Sequence, residues 1–123
     1  MAGTILVVDD NEVNLRLLTA VLKTRGYQLF EATSGEAALA TITDRQPALV
    51  LMDVQMPGMS GLDVARAVRA MPESDGLPLI AITAMAMKGD REEILAAGFN
   101  DYLAKPYKMA DLLGVVTKWL PAQ

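Results

Sequence analysis

Four short apolar runs of this sequence each end on a side chain that could take part in phosphate chemistry. They are followed by Asp9 and Asp10, by Asp53, by Thr83 and by Lys105. Three carboxylates can bind a hard divalent cation, and a hydroxyl and an ammonium can bind the oxygens of a phosphoryl group. If the four runs are neighbouring strands, these side chains meet at one edge of one sheet.

The four runs have the length and composition of strands buried on both faces of a parallel sheet. They cover residues 5–8, 48–52, 78–82 and 102–104. In open parallel α/β sheets the functional crevice lies at the carboxyl ends of the strands. The sequence therefore predicts a site at that edge, with Asp53 at the end of a central strand.

Helix-like segments alternate with these strands. Capping residues and apolar spacing predict a helix after Asn11 that ends at Gly26, and a second helix over 36–44 that Ser34 caps. We predict the other elements as a strand near an edge over 27–32, a loop over 57–61, a helix beginning at Leu62, a connection over 72–78 and helices over 91–97 and 109–120. Five strands alternating with five helices predict a doubly wound parallel α/β sheet with right-handed crossovers.

The inner faces of the first two helices follow from their apolar positions. We expect them to be Val13, Leu17, Leu18, Val21 and Leu22 in the first helix, and Ala37, Ala38, Leu39 and Ile42 in the second.

Composition bounds the class of protein. With 123 residues, of which 52% are hydrophobic, we expect one domain over residues 1–123 with a substantial core. A net charge of −4 disfavours direct nucleic-acid binding, and every apolar stretch is shorter than the roughly 18 residues of a membrane span. Because residues 1–4 lead straight into a strand without a basic leader, we expect a soluble cytoplasmic protein.

The chain contains no histidine and no cysteine. Histidine acid–base catalysis, thiol nucleophiles, disulfides and thiolate metal sites are therefore excluded within this chain, and no Gly-Lys-Ser/Thr phosphate loop is present. Any reaction at this chain therefore depends on carboxylates, a lysine and hydroxyls.

Each of the candidate residues also has a simpler interpretation. Asp9 and Asp10 are adjacent, so only one of them points into the crevice unless the chain bends after Val8, and Asp10 and Asn11 could merely cap a helix. Asp53 could cap a turn. As a site residue, its pKa would be raised by burial and nearby acids and lowered by a bound cation, for which Mg²⁺ is well suited.

Thr83 and Lys105 are ambiguous on their own as well. Threonine is common at strand ends, and a lysine is most often a solvated surface residue. The following Pro106 indicates a fixed turn at Lys105, which could include a cis peptide bond. The combination of residue types at four strand ends is what favours a site.

These motifs together resemble the receiver domain of bacterial two-component response regulators. The matching segments are residues 5–12, 51–62, 82–84 and 102–106, and the resemblance covers essentially the whole chain. It implies the flavodoxin-like (βα)5 fold with strand order 2-1-3-4-5. Residues 11–14 and 84–90 are more similar to the receivers of hybrid kinases and to single-domain cell-cycle receivers than to those of transcription factors.

The resemblance also implies a role for each site residue. Asp53 would accept a phosphoryl group from a partner's phosphohistidine. Asp9, Asp10, Asp53 and the backbone carbonyl of Gln55 would bind Mg²⁺. Lys105 and Thr83 would bind the phosphoryl oxygens, and Thr83 with Tyr102 would form the switch.

The implied partners are a sensor histidine kinase or a histidine phosphotransfer protein and an unknown downstream protein. The chain would not be an enzyme beyond catalysing its own phosphorylation and dephosphorylation. Only residues 121–123 follow the last predicted helix, so we expect output by docking through the fourth helix, fifth strand and fifth helix. Met85, Met87, Tyr107 and Met109 lie near that face in the sequence, and Gln55 and Met85 are expected to control the phosphoryl lifetime.

Two alternative functions remain at this point. Phosphatases of the haloacid-dehalogenase type also use an aspartate nucleophile after a strand, but they are similar to one another in carrying a second aspartate where this chain has Gln55. A docking domain that works without phosphorylation would show no affinity for Mg²⁺.

Overall fold

The computed structural model describes residues 3–74, 76–84 and 88–121, so Met85 and Met87 lie outside the described residues. Within these ranges five strands alternate with five helices, as predicted. The elements are β1 (Thr4–Val8), α1 (Glu12–Lys23), β2 (Gln28–Ala32), α2 (Gly35–Arg45), β3 (Leu49–Asp53), α3 (Gly61–Arg69), a 3-10 turn (Pro72–Ser74), β4 (Leu79–Thr83), α4 (Lys88–Ala97), β5 (Asp101–Ala104) and α5 (Met109–Trp119).

The strands form one parallel sheet in the order β2-β1-β3-β4-β5. This order confirms the predicted doubly wound, flavodoxin-like α/β topology, with β2 at an edge and β3 in the centre. All residues of β3 and β4 are buried, which explains their continuous apolar sequences. The strand order reverses between β1 and β3, the point at which such sheets open a crevice at their carboxyl ends.

Helices cover both faces of the sheet. Alternate strand residues contact opposite layers, because successive side chains of a strand point to opposite faces. Leu6 and Met52 pack with α2, α3 and α4, whereas Ile5 and Leu51 pack with α1 and α5. The two resulting hydrophobic layers hold the strand ends in a fixed arrangement.

The predicted inner face of α1 is wrong at two positions. Val13 is 77% exposed and Leu17 is 56% exposed, whereas Leu15, Leu18 and Leu22 are buried against the sheet. Positions 15, 18 and 22 form one helical stripe at spacings of three and four, and Val13 and Leu17 lie on a different stripe. The apolar residues of α1 therefore include an exposed set.

The inner face of α2 needs a similar correction. Ala38 and Ile42 are fully buried and Leu39 is partly buried, as expected, but Ala37 is exposed. The buried stripe of this helix begins at Gly35 and continues through positions 38 and 42. Ala37 lies outside it, next to the capping oxygen of Ser34.

Candidate functional site

Three acidic side chains come together at the carboxyl edge of the sheet. Carboxylate oxygens of Asp9, Asp10 and Asp53 all lie within 4.8 Å of one another. Asp9 and Asp53 are buried, with 3% and 5% of their surface exposed, and Asp10 is exposed. All three predicted acids therefore share one cleft.

A bend after β1 brings both adjacent acids into this cleft. The strand ends at Val8, and the Asp9 N–H still donates to the carbonyl of Ala32 at 3.1 Å before the chain turns into α1. In an extended segment, only one of the adjacent Asp9 and Asp10 side chains could point inward. The bend removes that restriction.

Helix capping is the role of Asn11 and not of Asp10. The Asn11 side chain accepts hydrogen bonds from the Val13 and Asn14 N–H groups at 3.0 and 3.1 Å. Asp9 accepts in turn from the Asn11 N–H at 2.9 Å, which fixes its carboxylate. The capping interpretation is thus right for Asn11 and wrong for Asp10, whose carboxylate joins the acidic cluster.

Asp53 is the last residue of the central strand, and both of its oxygens are held. Its Oδ1 accepts from the Gln55 N–H at 2.9 Å, and its Oδ2 accepts from the Lys105 ammonium at 3.2 Å. The Asp53 side chain is only 7% exposed and the Lys105 side chain is 33% exposed, so the carboxylate is shielded from solvent whereas the lysine is still accessible. The carboxylate has one defined orientation, with Lys105 beside it.

Thr83 and Lys105 stand next to each other at the ends of β4 and β5. Thr83 is fully buried and pairs in register with Ala104, and its carbonyl accepts from the Lys105 N–H at 2.8 Å. The Lys105–Pro106 peptide bond is cis. In the neighbouring pair of strands, Asp53 is in register with Ile82. The strand ends therefore bring the predicted acids, hydroxyl and ammonium to one edge.

Three carboxylates face the single ammonium that contacts Asp53. Burial raises the pKa of Asp9 above its ordinary value, and repulsion from Asp53 and Asp10 raises it further. The Asn11 N–H and the Lys105 ammonium act in the opposite direction on the same pKa. Close, like-charged oxygens in a buried cleft are the donor set that a hard divalent cation with oxygen ligands would satisfy.

An open cavity of about 520 Å³ adjoins the acids. It is lined by Asp9 and Lys105 of the site together with Asn14, Ile82, Ala84, Pro106 and Tyr107. The sequence predicts Tyr107 to lie near the face of the fourth helix, fifth strand and fifth helix, and the structure shows that it also lines this cavity. Burial raises the pKa of the Tyr107 phenol, and the negative charges of the nearby Asp9 and Asp53 raise it further.

Tyr102, the predicted switch residue, lies apart from the acids. It pairs in register with Ala81, two residues before Thr83, and its partly buried ring packs against the layer that contains α4. The Arg91 guanidinium of α4 lies 5.3 Å from the ring centroid, a cation–π distance. Thr83 and Tyr102 thus occupy neighbouring strands beneath the same helix.

Gly61 lies against the peptide that follows Asp53, a close approach that the sequence alone does not reveal. We predicted it to be the end of a loop, but it is the first residue of α3, and its N–H donates to the Val54 carbonyl at 3.0 Å. A Cβ at this position would lie 2.8 Å from both the Asp53 carbonyl oxygen and the Val54 Cα. Only glycine allows α3 to approach the peptide that carries Asp53 without displacing it.

Among the residues that the structure describes, none of the helices is both long enough and apolar enough to cross a membrane.

Comparison with known proteins identifies the type of domain. A family model described as the response regulator receiver domain matches residues 5–117. The polar-differentiation response regulator DivK of Brucella ovis is 35% identical over 120 residues, which cover 98% of each chain.

Solved structures agree with this match. The receiver domain of the sensor histidine kinase PA1611 from Pseudomonas aeruginosa, which has a magnesium ion coordinated in its active site cleft, is 38% identical with a TM-score of 0.88, over 97% of this chain and 98% of that one. The receiver domain of the response regulator Ssk1 from Saccharomyces cerevisiae, solved with the histidine phosphotransfer signaling protein Ypd1, is 27% identical with a TM-score of 0.89, over 96% of this chain and 88% of that one.

Proposed function

This chain belongs to the response regulator receiver domain family, and from this premise we propose that Asp53 accepts a phosphoryl group from the phosphohistidine of a partner protein. The observation that carries the proposal is the Asp53 carboxylate itself. It is buried at the end of the central strand, its two oxygens are held by the Gln55 N–H and the Lys105 ammonium, and two further acids lie within 4.8 Å. We propose that residues 1–123 act as one receiver domain.

In the proposed transfer, an Asp53 oxygen attacks the phosphorus atom, the bond from phosphorus to the partner's imidazole nitrogen breaks, and an acyl phosphate forms. Such transfers depend on positioning and charge neutralisation more than on covalent chemistry by other residues. The Gln55 N–H fixes the direction of the nucleophile. Lys105, 3.2 Å from Asp53, is close enough to bind an oxygen of the arriving group.

The residues of the acidic cluster fit a magnesium ion. We propose Asp9, Asp10, Asp53 and the backbone carbonyl of Gln55 as its protein ligands, because oxygen donors and negative charge are what this cation prefers. When bound, the ion supplies positive charge that neutralises both the acids and the phosphoryl oxygens. The magnesium ion in the related kinase receiver supports this proposal.

For the conformational response, we propose that Thr83 turns towards the phosphoryl group and that Tyr102 packs further inward. Both residues lie on neighbouring strands beneath α4, and the Tyr102 ring is still partly exposed. A phosphoryl group changes an equilibrium only through contacts that differ between the two states. The Thr83 hydroxyl would make such a contact, and the surface of α4, β5 and α5 would change for a downstream partner.

The phosphodonor partner, a sensor histidine kinase or a histidine phosphotransfer protein, has to dock beside the cleft. Val13 and Leu17, one turn apart on α1, are exposed apolar side chains on the helix that begins directly after Asp9 and Asp10. We propose them as part of the docking surface. The complex of a related receiver with a phosphotransfer protein supports a protein donor.

We further propose that the domain catalyses only its own phosphorylation and dephosphorylation, and that it works in the cytoplasm, where an ATP-dependent kinase has its substrate. A haloacid-dehalogenase-type phosphatase needs an acidic residue at this position, where this chain has Gln55. That alternative is therefore disfavoured. Gln55 can bind a water molecule but cannot deprotonate it, which favours a long-lived acyl phosphate.

The test is phosphorylation by acetyl phosphate, followed by intact-protein mass spectrometry. We expect a gain of one phosphoryl group in the presence of Mg²⁺, and loss of labelling after chelation or in Asp53→Asn. Asp44→Asn is the matched control, because the Asp44 side chain is 78% exposed on α2, and it should label normally. Full labelling of Asp53→Asn, or labelling that does not depend on Mg²⁺, would contradict the proposal.

A further inference from the structure

The cavity beside Asp9 and Lys105 is larger than a phosphoryl group needs. It holds about 520 Å³ and extends away from the acids towards the loop between β5 and α5. Besides Asp9 and Lys105, it is lined by Asn14, Ile82, Ala84, Pro106 and Tyr107. A space lined both by the lysine that contacts Asp53 and by an aromatic residue suits a flat group attached to phosphorus.

Attack by Asp53 restricts where a flat group attached to phosphorus can lie. In phosphoryl transfer the attacking and leaving groups are roughly in line, on opposite sides of the phosphorus atom. Lys105 contacts Asp53 at 3.2 Å and also lines the cavity, so the cavity begins one side chain away from the nucleophile. The leaving group lies on the side of phosphorus away from Asp53, so it is the part of a bound donor that is available to enter this neighbouring space.

The Tyr107 side chain packs against the hydrophobic core. Its ring is partly buried against the hydrophobic layer that includes Ile82, Leu103 and Leu112. The same environment shows in the phenol, whose pKa is raised by burial and by the charges of Asp9 and Asp53. The ring thus packs against the core, and the residue lines the cavity beside Asp9.

On the basis of the proposed function, we propose that Tyr107 is a positioning residue for the phosphodonor, and that its ring packs against the imidazole that carries the incoming phosphoryl group. Aromatic pairs gain interaction energy beyond the area that they bury. The chain would then distinguish a phosphoryl group on an imidazole from one on a small acyl donor. This selectivity would come from the leaving group and not from the phosphoryl group, which is the same in both donors.

The experiment compares two small donors, monophosphoimidazole and acetyl phosphate, at concentrations at which the labelling rate is proportional to donor. We expect Tyr107→Ala to lower the rate with monophosphoimidazole by roughly two- to tenfold, the range that one aromatic pair supplies. The rate with acetyl phosphate should change by less than twofold. This ratio of rates is a readout that a merely structural role would not move.

Two further variants sharpen the result. Tyr107→Phe keeps the ring and should retain the wild-type preference, whereas Tyr107→Leu keeps much of the apolar volume and should lose it. Equal losses with both donors, no loss with either, or a Phe variant that behaves like Ala would each overturn the inference. Failure of the wild type to label with either donor would instead refute the proposed function, so the two failures are distinguishable.

Discussion

The amino-terminal ends of the strands (the amino edge) and their carboxyl-terminal ends (the carboxyl edge) differ in how their polar groups are paired. At the amino edge, the Arg69 guanidinium donates to the carbonyls of Gly98 and Ser74 at 2.9 and 3.3 Å and to the Asn100 side chain at 2.7 Å. The same Asn100 oxygen accepts from the Leu79 N–H at 2.8 Å. One cation thus ties the end of α3 to the starts of β4 and β5, and each contact joins a donor to an acceptor.

The carboxyl edge brings like charges together instead. Three carboxylates lie within 4.8 Å of one another, and one ammonium contacts Asp53. This arrangement costs stability until positive charge arrives, whereas the contacts of the amino edge stabilise the fold without any ligand. The contrast indicates that one edge maintains the architecture and the other is reserved for binding.

The largest expected effect on stability comes from breaking the amino edge. Arg69→Ala leaves several partly buried acceptors without their donor, so we expect the free energy of unfolding to fall by about 2–3 kcal/mol. Urea denaturation measures this change. The labelling rate of the folded protein should stay within twofold of wild type. Arg66→Ala, which loses only an exposed pair with Asp63, should cost about 0.5 kcal/mol or less. If Arg69→Ala and Arg66→Ala lower the free energy of unfolding equally, the contacts of Arg69 do not stabilise the fold more than an exposed ion pair does.

Gly61→Ala should damage the carboxyl edge without touching any charge. The added Cβ forces α3 away from the Asp53–Val54 peptide, and we expect a loss of about 1–3 kcal/mol of stability and at least a roughly tenfold slower labelling by acetyl phosphate. The control is Gly114→Ala on α5, where a Cβ meets nothing within 4 Å.

In that control the labelling rate should be unchanged, and the helix should gain up to about 1 kcal/mol, because alanine favours the helical state over glycine. If Gly61→Ala labels at the wild-type rate, the close approach of α3 does not position Asp53.

The smallest effect tests the cost of the clustered acids. The pKa of Asp9 in the folded protein lies above the ordinary value of 3.8, so its ionisation destabilises the folded state once the pH exceeds that value. In metal-free buffer at pH 7, Asp9→Asn should therefore raise the melting temperature by a few degrees. The difference from wild type should shrink as the pH falls towards and below 3.8, and saturating Mg²⁺ should cancel or reverse it. If Asp9→Asn melts at a lower temperature than wild type in metal-free buffer, the clustered carboxylates do not destabilise the folded protein.

Much of this architecture was predictable from the sequence. The apolar runs that end at Asp53 and Thr83 mark buried strands, because only parallel central strands need continuous apolar residues. A shared sheet edge then follows from the alternation of strands and helices. The Asn11 and Ser34 caps and the edge position of β2 were predictable for the same reason, since each depends on local residue types.

Features that depend on three-dimensional proximity were not predictable. The bend after Val8 that turns both Asp9 and Asp10 inward has no local signature, and the spacing of Val13 and Leu17 did not reveal which stripe of α1 faces the sheet. The contacts of Arg69 with Gly98 and Asn100 join distant parts of the chain, so neither periodicity nor turn chemistry could show them. The close approach at Gly61 likewise exists only once α3 is packed.

In the proposed function, the carboxyl edge places a phosphoryl group on Asp53 and on no other side chain. The direct measurement is to phosphorylate the wild-type protein with acetyl phosphate and Mg²⁺, reduce the acyl phosphate with borohydride, and map the modified peptide by mass spectrometry. We expect reduction to homoserine at position 53 alone, and none when Mg²⁺ is chelated. Modification at Asp9 or Asp10, or an unmodified Asp53 in protein that has gained a phosphoryl group, would contradict it.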